Sequence, residues 1–285
     1  MKINFLAIFV LIFVCFVCTT CSDDFSNSDT RTGKLVVDGS IELGKKARVI
    51  LTTSLDLTST IDSTKYLDVV TTRADMKISD GERTEYLTLR WNPDAFPQHY
   101  YESELIRGEE GKVYTLEIFY EDDTLRSQTT IPSRILLDSI WTESYENDSL
   151  QRNIWVRLCD DSSQVNFYRT FTRIASKQTD FIPTYLSAFN DELIQGECAS
   201  VMIYKGLENF YETDRNFSFD VGDTVYLKTA TIDKQSYLFW KHYEKEVFNL
   251  GNPFAGHGTN LDSNIEGGLG IWCGYNQVVY RVIIR

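Results

Sequence analysis

The sequence predicts a mainly β protein: an N-terminal antiparallel sandwich over residues 34–132, then a second β-rich domain over residues 133–285 with one amphipathic helix at about 234–249. Three observations predict it. Short segments alternate apolar and polar side chains and are rich in β-branched and aromatic residues; turn residues punctuate them about every ten positions; and a single stretch shows apolar recurrence at helical spacing. The chain has 285 residues, 42% hydrophobic and 24% charged, enough to fold around a core and too apolar for wholesale disorder.

Leu35-Val36-Val37, closed by Asp38-Gly39, and Ala47 to Thr53 are the first two expected strands. Ala74, Met76 and Ile78 alternate with polar neighbours up to the turn pair Asp80-Gly81, and Leu87, Leu89 and Trp91 alternate beyond it, a hairpin pattern. Tyr114, Leu116, Ile118 and Tyr120 share one face, Asp122-Asp123 turns the chain, and Leu125 to Ile131 runs back to Pro132. Pro132 and Ser133 mark the expected domain boundary, because proline ends ladder pairing.

Beyond it, Ile154, Val156 and Leu158 form an apolar face, Asp160 to Ser163 turns the chain, and Val165 to Ile174 returns. Val201 to Tyr204, Phe217 to Phe219 and Thr224 to Ile232 are further strands, and the apolar run Gln277 to Ile284 belongs in the middle of a sheet. Asp233 caps a helix in which Tyr237, Trp240, Tyr243 and Val247 recur, stopped by Gly251 and Pro253. Its aromatic stripe reads first as a face packed on the sheet and second as a ligand platform, with Trp240 and Tyr243 as the candidate surface. Residues 251–274 hold many of the glycines and no sustained periodicity, and read as a loop closing the sheet with Phe254, Ile271 and Trp272 as plugs. Asn252, Phe254, Asn264 and Trp272 are its candidate binding positions should the loop be functional instead.

The chain opens with Lys2, an unbroken apolar run from Phe5 to Cys18, and then polar residues, the order of a secretory signal peptide over residues 1–20. As a helix that run extends about 21 Å, short of the roughly 30 Å of a hydrocarbon core, so it does not read as a spanning segment. Cys21, where polarity changes, resembles the lipid-accepting cysteine of bacterial lipoproteins, although Thr20 and Cys18 stand where that pattern has a small and an aliphatic residue. The following Ser22-Asp23-Asp24-Phe25 resembles the acidic tag of surface-exposed lipoproteins of Bacteroidota, and residues 21–33 read as lipidated cysteine plus flexible tether. Stable attachment to a membrane takes more than one acyl chain, which the resemblance implies.

Function classes are narrowed mostly by exclusion. A formal charge of −13 is the wrong sign for a surface that grips nucleic-acid phosphates. Cys159, Cys198 and Cys273, the cysteines beyond Cys21, have no zinc-like spacing and leave open one disulfide with a buried thiol or three buried thiols. His99, His242 and His257 form no metal-binding pattern, and nucleophile-elbow and phosphate-loop motifs are missing, so no metal, cofactor or catalytic residue is expected. The adjacent acids Asp160-Asp161 and Glu109-Glu110 read as solvated turns, since strand neighbours face opposite ways.

Leu35-Val36-Val37-Asp38-Gly39, the stretch Gly108 to Leu116, and the tail from Asn252-Pro253-Phe254 to Gly267-Gly268-Leu269-Gly270 together resemble the Bacteroidota lipoprotein family called domain of unknown function 4249. That resemblance covers essentially the mature chain and implies an outer-membrane lipoprotein with an N-terminal immunoglobulin-like sandwich, often associated with TonB-dependent transporters, and no catalytic residues. The expectation is a non-catalytic, surface-exposed accessory of such a transporter, held to the outer membrane by lipid. An extracellular hydrolase of glycan or peptide, and an adhesin or structural β module, are the alternatives.

Overall fold

A central sheet of eight strands runs through the molecule, with two small sheets on one face and a helix on the other. The computed structural model describes residues 33–54, 70–145, 148–159, 164–194, 196–206, 216–249 and 261–285. The expected signal peptide, Cys21, the expected tether up to residue 32, the turn expected at Asp160 to Ser163, Asn252 and Phe254 all lie outside the described residues.

The N-terminal strands are β1 (Leu35–Glu42), β2 (Lys46–Thr53), β3 (Asp75–Ser79), β4 (Thr84–Tyr86), β5 (Thr88–Trp91), β6 (His99–Arg107), β7 (Val113–Tyr120) and β8 (Asp123–Thr130). There follow β9 (Ser139–Tyr145), β10 (Asp148–Cys159), β11 (Phe167–Ile174), β12 (Ile182–Asn190), β13 (Cys198–Ile203), β14 (Phe219–Asp220), β15 (Thr224–Ile232), helix α1 (Lys234–Asn249) and β16 (Leu269–Ile283). The central sheet has the order β12-β11-β15-β16-β1-β2-β6-β5. One small sheet is β4-β3-β7-β8, and the other is β13-β10-β14 with β9 also paired to β10.

Alternation explains which face each strand buries. Leu35, Val37 and Ile41 of β1 pack with Val49, Met76, Leu116 and Ile118 to fill the N-terminal sandwich. Val225 and Leu227 of β15 and Ile174 of β11 pack with Ile154, Val156 and Phe219 in a second cluster on the same side. A third cluster lies on the opposite face, where Tyr237 and Phe239 of α1 cover Ala230, Ile232, Ile271 and Cys273. The expected mainly β fold, sandwich and helix are present, and α1 spans the predicted residues.

Three features differ from the sequence reading. β1 does not stop at Asp38-Gly39 but continues to Glu42, because Gly39 leaves the space that the Trp272 ring fills: a Cβ there would lie 2.8 Å from Trp272 Cε3. The glycine-rich segment is not a loop over its whole length, since Leu269 to Gly274 form the start of β16, pairing in parallel with β1. And residues 34–285 group as one compact unit, because β16 joins β1 to β15 across the boundary expected at Pro132. The sandwich over 34–132 keeps its own core, but Ile265 and Trp272 from the C-terminal region complete it.

Candidate functional site

The central sheet presents two unlike halves on its helix-bearing face. Under α1 the face is apolar, whereas the half formed by β1, β2, β6 and β5 carries Asp38, Glu42, Lys46, Arg48, Tyr100 and Glu102. Their sharing of one face follows from the period of two: the β1 residues between them bury toward the sandwich, and Arg48 pairs directly with Glu102. The border between the halves is where α1 meets the charged surface.

Under α1, Arg169 of β11 is 6% exposed and reaches across β15 toward Tyr275 of β16. Its Nη1 donates to the Tyr275 hydroxyl oxygen at 2.8 Å, its Nε donates to Ser187 Oγ at 3.4 Å, and the guanidinium carbon lies 3.3 Å from the centre of a Trp240 ring. Stacking on an indole suits a planar, weakly hydrated cation, which is why arginine rather than lysine sits here. Ser187 is held in turn by Glu244 of α1, whose Oε1 accepts the Ser187 N–H at 3.1 Å and also its hydroxyl. The preceding Leu186 has φ 58°, a left-handed conformation uncommon for leucine, at the irregularity in the β11–β12 ladder that presents Ser187 to the helix.

Asp38 and Tyr243 line the open side. Both reach solvent, Tyr243 with 43% exposure, yet protein closes around each densely enough that burial pushes both pKa values up. The charges of Arg169 and Arg48 partly counter the rise at Asp38, and the Arg169 and Asp38 charges both act on the Tyr243 hydroxyl, so the three groups lie within electrostatic reach of one another. Burial likewise pushes Glu244 up, with Ser187 and Arg169 countering it.

Farther along β1, Lys228 Nζ lies 3.4 Å from Glu42 Oε1. Burial pushes Lys228 below the usual lysine range, with Glu42 offsetting part of that; Glu42 ends below the carboxylate range because Lys228 and Lys45 outweigh its own burial. The low Glu42 and the contact distance together describe an ion pair. Lys228 also sits 4.3 Å from the centre of the Phe171 ring.

Of the sequence-predicted positions, Trp240 and Tyr243 are brought into this crevice. Asn264 and Trp272 are not, and as binding-surface candidates they are corrected: Trp272 is 0% exposed inside the sandwich core, and Asn264 is buried against its backbone. Cys273 is also sealed, its thiol pushed up to about 12 by burial, which leaves it inert. Sequence reasoning missed Arg169 and Asp38. The signal available for Arg169 was a charged residue between Phe167 and Phe171 on one face of a strand.

Among the described residues, surface grooves of about 390 Å³ lie beside Ser127 and Asn264 and of about 460 Å³ beside Asp80 and Arg107. Neither unites aromatic and oppositely charged groups as the crevice does. Among the described residues no cluster of three or more His, Cys, Asp or Glu is placed to hold a metal ion, and no helix is long and apolar enough to cross a membrane.

The two remaining cysteines are joined: Cys159 and Cys198 face each other across β10 and β13 and form a disulfide, with Cα atoms 4.0 Å apart. No curated protein matches the chain. The model of the family described as domain of unknown function (DUF4249) matches residues 21–281, and the chain belongs to that family.

Proposed function

We propose that this protein is a surface-exposed outer-membrane lipoprotein, anchored through Cys21, that binds a ligand or partner for a TonB-dependent transporter without itself catalysing a reaction. The observation that carries the binding role is the cluster beside α1, where the Trp240 ring stacks on the buried Arg169 and packs edge-on against the exposed Tyr243. Aromatic surface with a few convergent polar groups is the ordinary composition of a ligand site.

Two findings support the address. A disulfide such as Cys159–Cys198 persists in an oxidising compartment outside the cytosol. The family match begins at residue 21, the position of the expected acceptor cysteine.

Purification of the full chain from detergent-solubilised outer membranes tests the role, with expected recovery of a barrel transporter in stoichiometric amount. Recovering the protein alone sinks the accessory role. Incorporation of labelled palmitate, lost in Cys21→Ser, is the expected result for the anchor, and an unlabelled parent protein overturns it.

A further inference from the structure

Arg169 is a buried cation whose charge is left incompletely answered. Among the described residues its hydrogen bonds go to two neutral hydroxyl oxygens, those of Tyr275 and Ser187, and to no carboxylate. Buried charges ordinarily meet a partner of opposite sign. Glu244 accepts the N–H and hydroxyl of Ser187, so it braces the arginine at one remove and otherwise acts on it, like Asp38, without a hydrogen bond. Asp38 acts on Arg169 only through space. Nη2 of Arg169 donates to none of the described residues, so one edge of the guanidinium keeps N–H groups that no protein acceptor uses.

What would satisfy that edge follows from its chemistry. A guanidinium edge offers parallel N–H donors whose spacing matches the two oxygens of a carboxylate. Tyr275, Ser187 and the Trp240 ring hold the group in place before a ligand arrives, so little order is lost when the contact forms. Tyr243, 43% exposed and packed edge-on against Trp240, supplies an aromatic wall beside it. We infer that the crevice beside α1 binds a small organic carboxylate, with the anion on the unused edge of Arg169 and the ring or apolar body against Tyr243.

This rests on the binding role proposed above and specifies its ligand class. It also assigns Asp38 an unusual part. The Asp38 charge reaches Tyr243 through space and has the sign of the ligand, so it weakens binding and limits it to ligands that outcompete its repulsion.

Matched pairs of isosteres test the inference on the full chain in detergent: benzoate against benzamide and acetate against acetamide, followed by ligand-observed NMR and thermal unfolding. Benzoate is expected to bind at least about tenfold more tightly than benzamide, because an interaction with a charged group is lost in the amide. Arg169→Gln is expected to abolish the preference. Because that variant removes a buried group and can fail to fold, Asp38→Asn serves as the second probe, and it is expected to tighten benzoate binding about threefold by removing a like charge. Equal binding of acid and amide, no binding of either acid, or weaker benzoate binding in Asp38→Asn each overturns the inference. A protein that recovers a transporter but ignores carboxylates keeps the accessory role and loses this ligand class; carboxylate binding without a transporter does the reverse.

Discussion

The side chain of Asn264 stands in for a missing strand beside Trp272: its Oδ1 accepts the Trp272 N–H at 2.8 Å and its Nδ2 donates to the Trp272 carbonyl at 2.7 Å. β16 needs this where its backbone is buried, and the Trp272 indole N–H is separately satisfied by the Tyr114 carbonyl at 3.0 Å. Asn264→Ala leaves a buried donor and acceptor unpaired. The expected cost is about 2–4 kcal/mol, read as a lower urea midpoint with an unchanged slope.

Gly270 and Gly44 both have positive φ, 105° and 74°, but only Gly270 is crowded. A Cβ at Gly270 would fall 1.9 Å from the Val37 carbonyl oxygen, inside the parallel β1–β16 ladder, whereas at Gly44 nothing lies within 4 Å. Gly44→Ala is expected to cost about 1 kcal/mol from backbone conformation alone. Gly270→Ala is expected to cost about 3 kcal/mol or more, or to prevent folding. Similar unfolding midpoints for the two variants would contradict this packing of β16.

The Cys159–Cys198 disulfide closes a loop of 39 residues in sequence separation. In the chain-entropy picture such a link contributes about 4 kcal/mol by restricting the unfolded chain. Reduction, or Cys159→Ser with Cys198→Ser, is expected to lower the thermal midpoint by about 10 °C. Mass spectrometry after thiol alkylation of the unfolded, unreduced protein should find Cys273 modified and these two protected.

Asp38 and Glu42 lie on one face of β1 yet have opposite pH signatures. Burial raises Asp38 above its ordinary 3.8, so the folded state resists its ionisation and stability is lost as pH rises through the raised value. Glu42 is held below its ordinary 4.5, so its contribution is present above that value and lost as pH falls through the lowered one. Asp38→Asn is therefore expected to stabilise the protein at pH 7 and to gain nothing below pH 3.8. Glu42→Gln is expected to destabilise at pH 7, with the deficit shrinking in acid. Urea midpoints across pH for the parent and both variants check the two signs.

Much of the fold was legible because apolar periodicity reports a strand's or helix's own face. Met76 and Ile78, or Tyr114, Leu116 and Ile118, point into the core as their alternation says. α1 was legible from its stripe and from Asp233, whose Oδ1 accepts the Ser236 N–H at 2.7 Å. β6, β9 and β12 were not read as strands. His99–Arg107 lacks clean alternation because its outward residues pair with charges on β2 and β5, so polar side chains hide a paired strand. In Gly270 to Asn276 every residue is buried, and the small residues that fit between crowded neighbours looked like loop composition. Half of the candidate site, Trp240 and Tyr243, was named from the helix stripe, while Arg169 and Asp38 sat inside patterns that otherwise looked like ordinary strands.

By itself the sequence determined the β-rich class, the position of the helix and which face most strands bury, because those depend on side-chain spacing along a few consecutive residues. Only the tertiary structure decided that β16 pairs with β1 and fuses two expected domains into one unit. It alone set Arg169 against Trp240 and left an edge of that cation without an acceptor among the described residues. Strand partners and buried-charge environments come from residues far apart in the chain, and local periodicity carries no record of which distant segment will supply the neighbour.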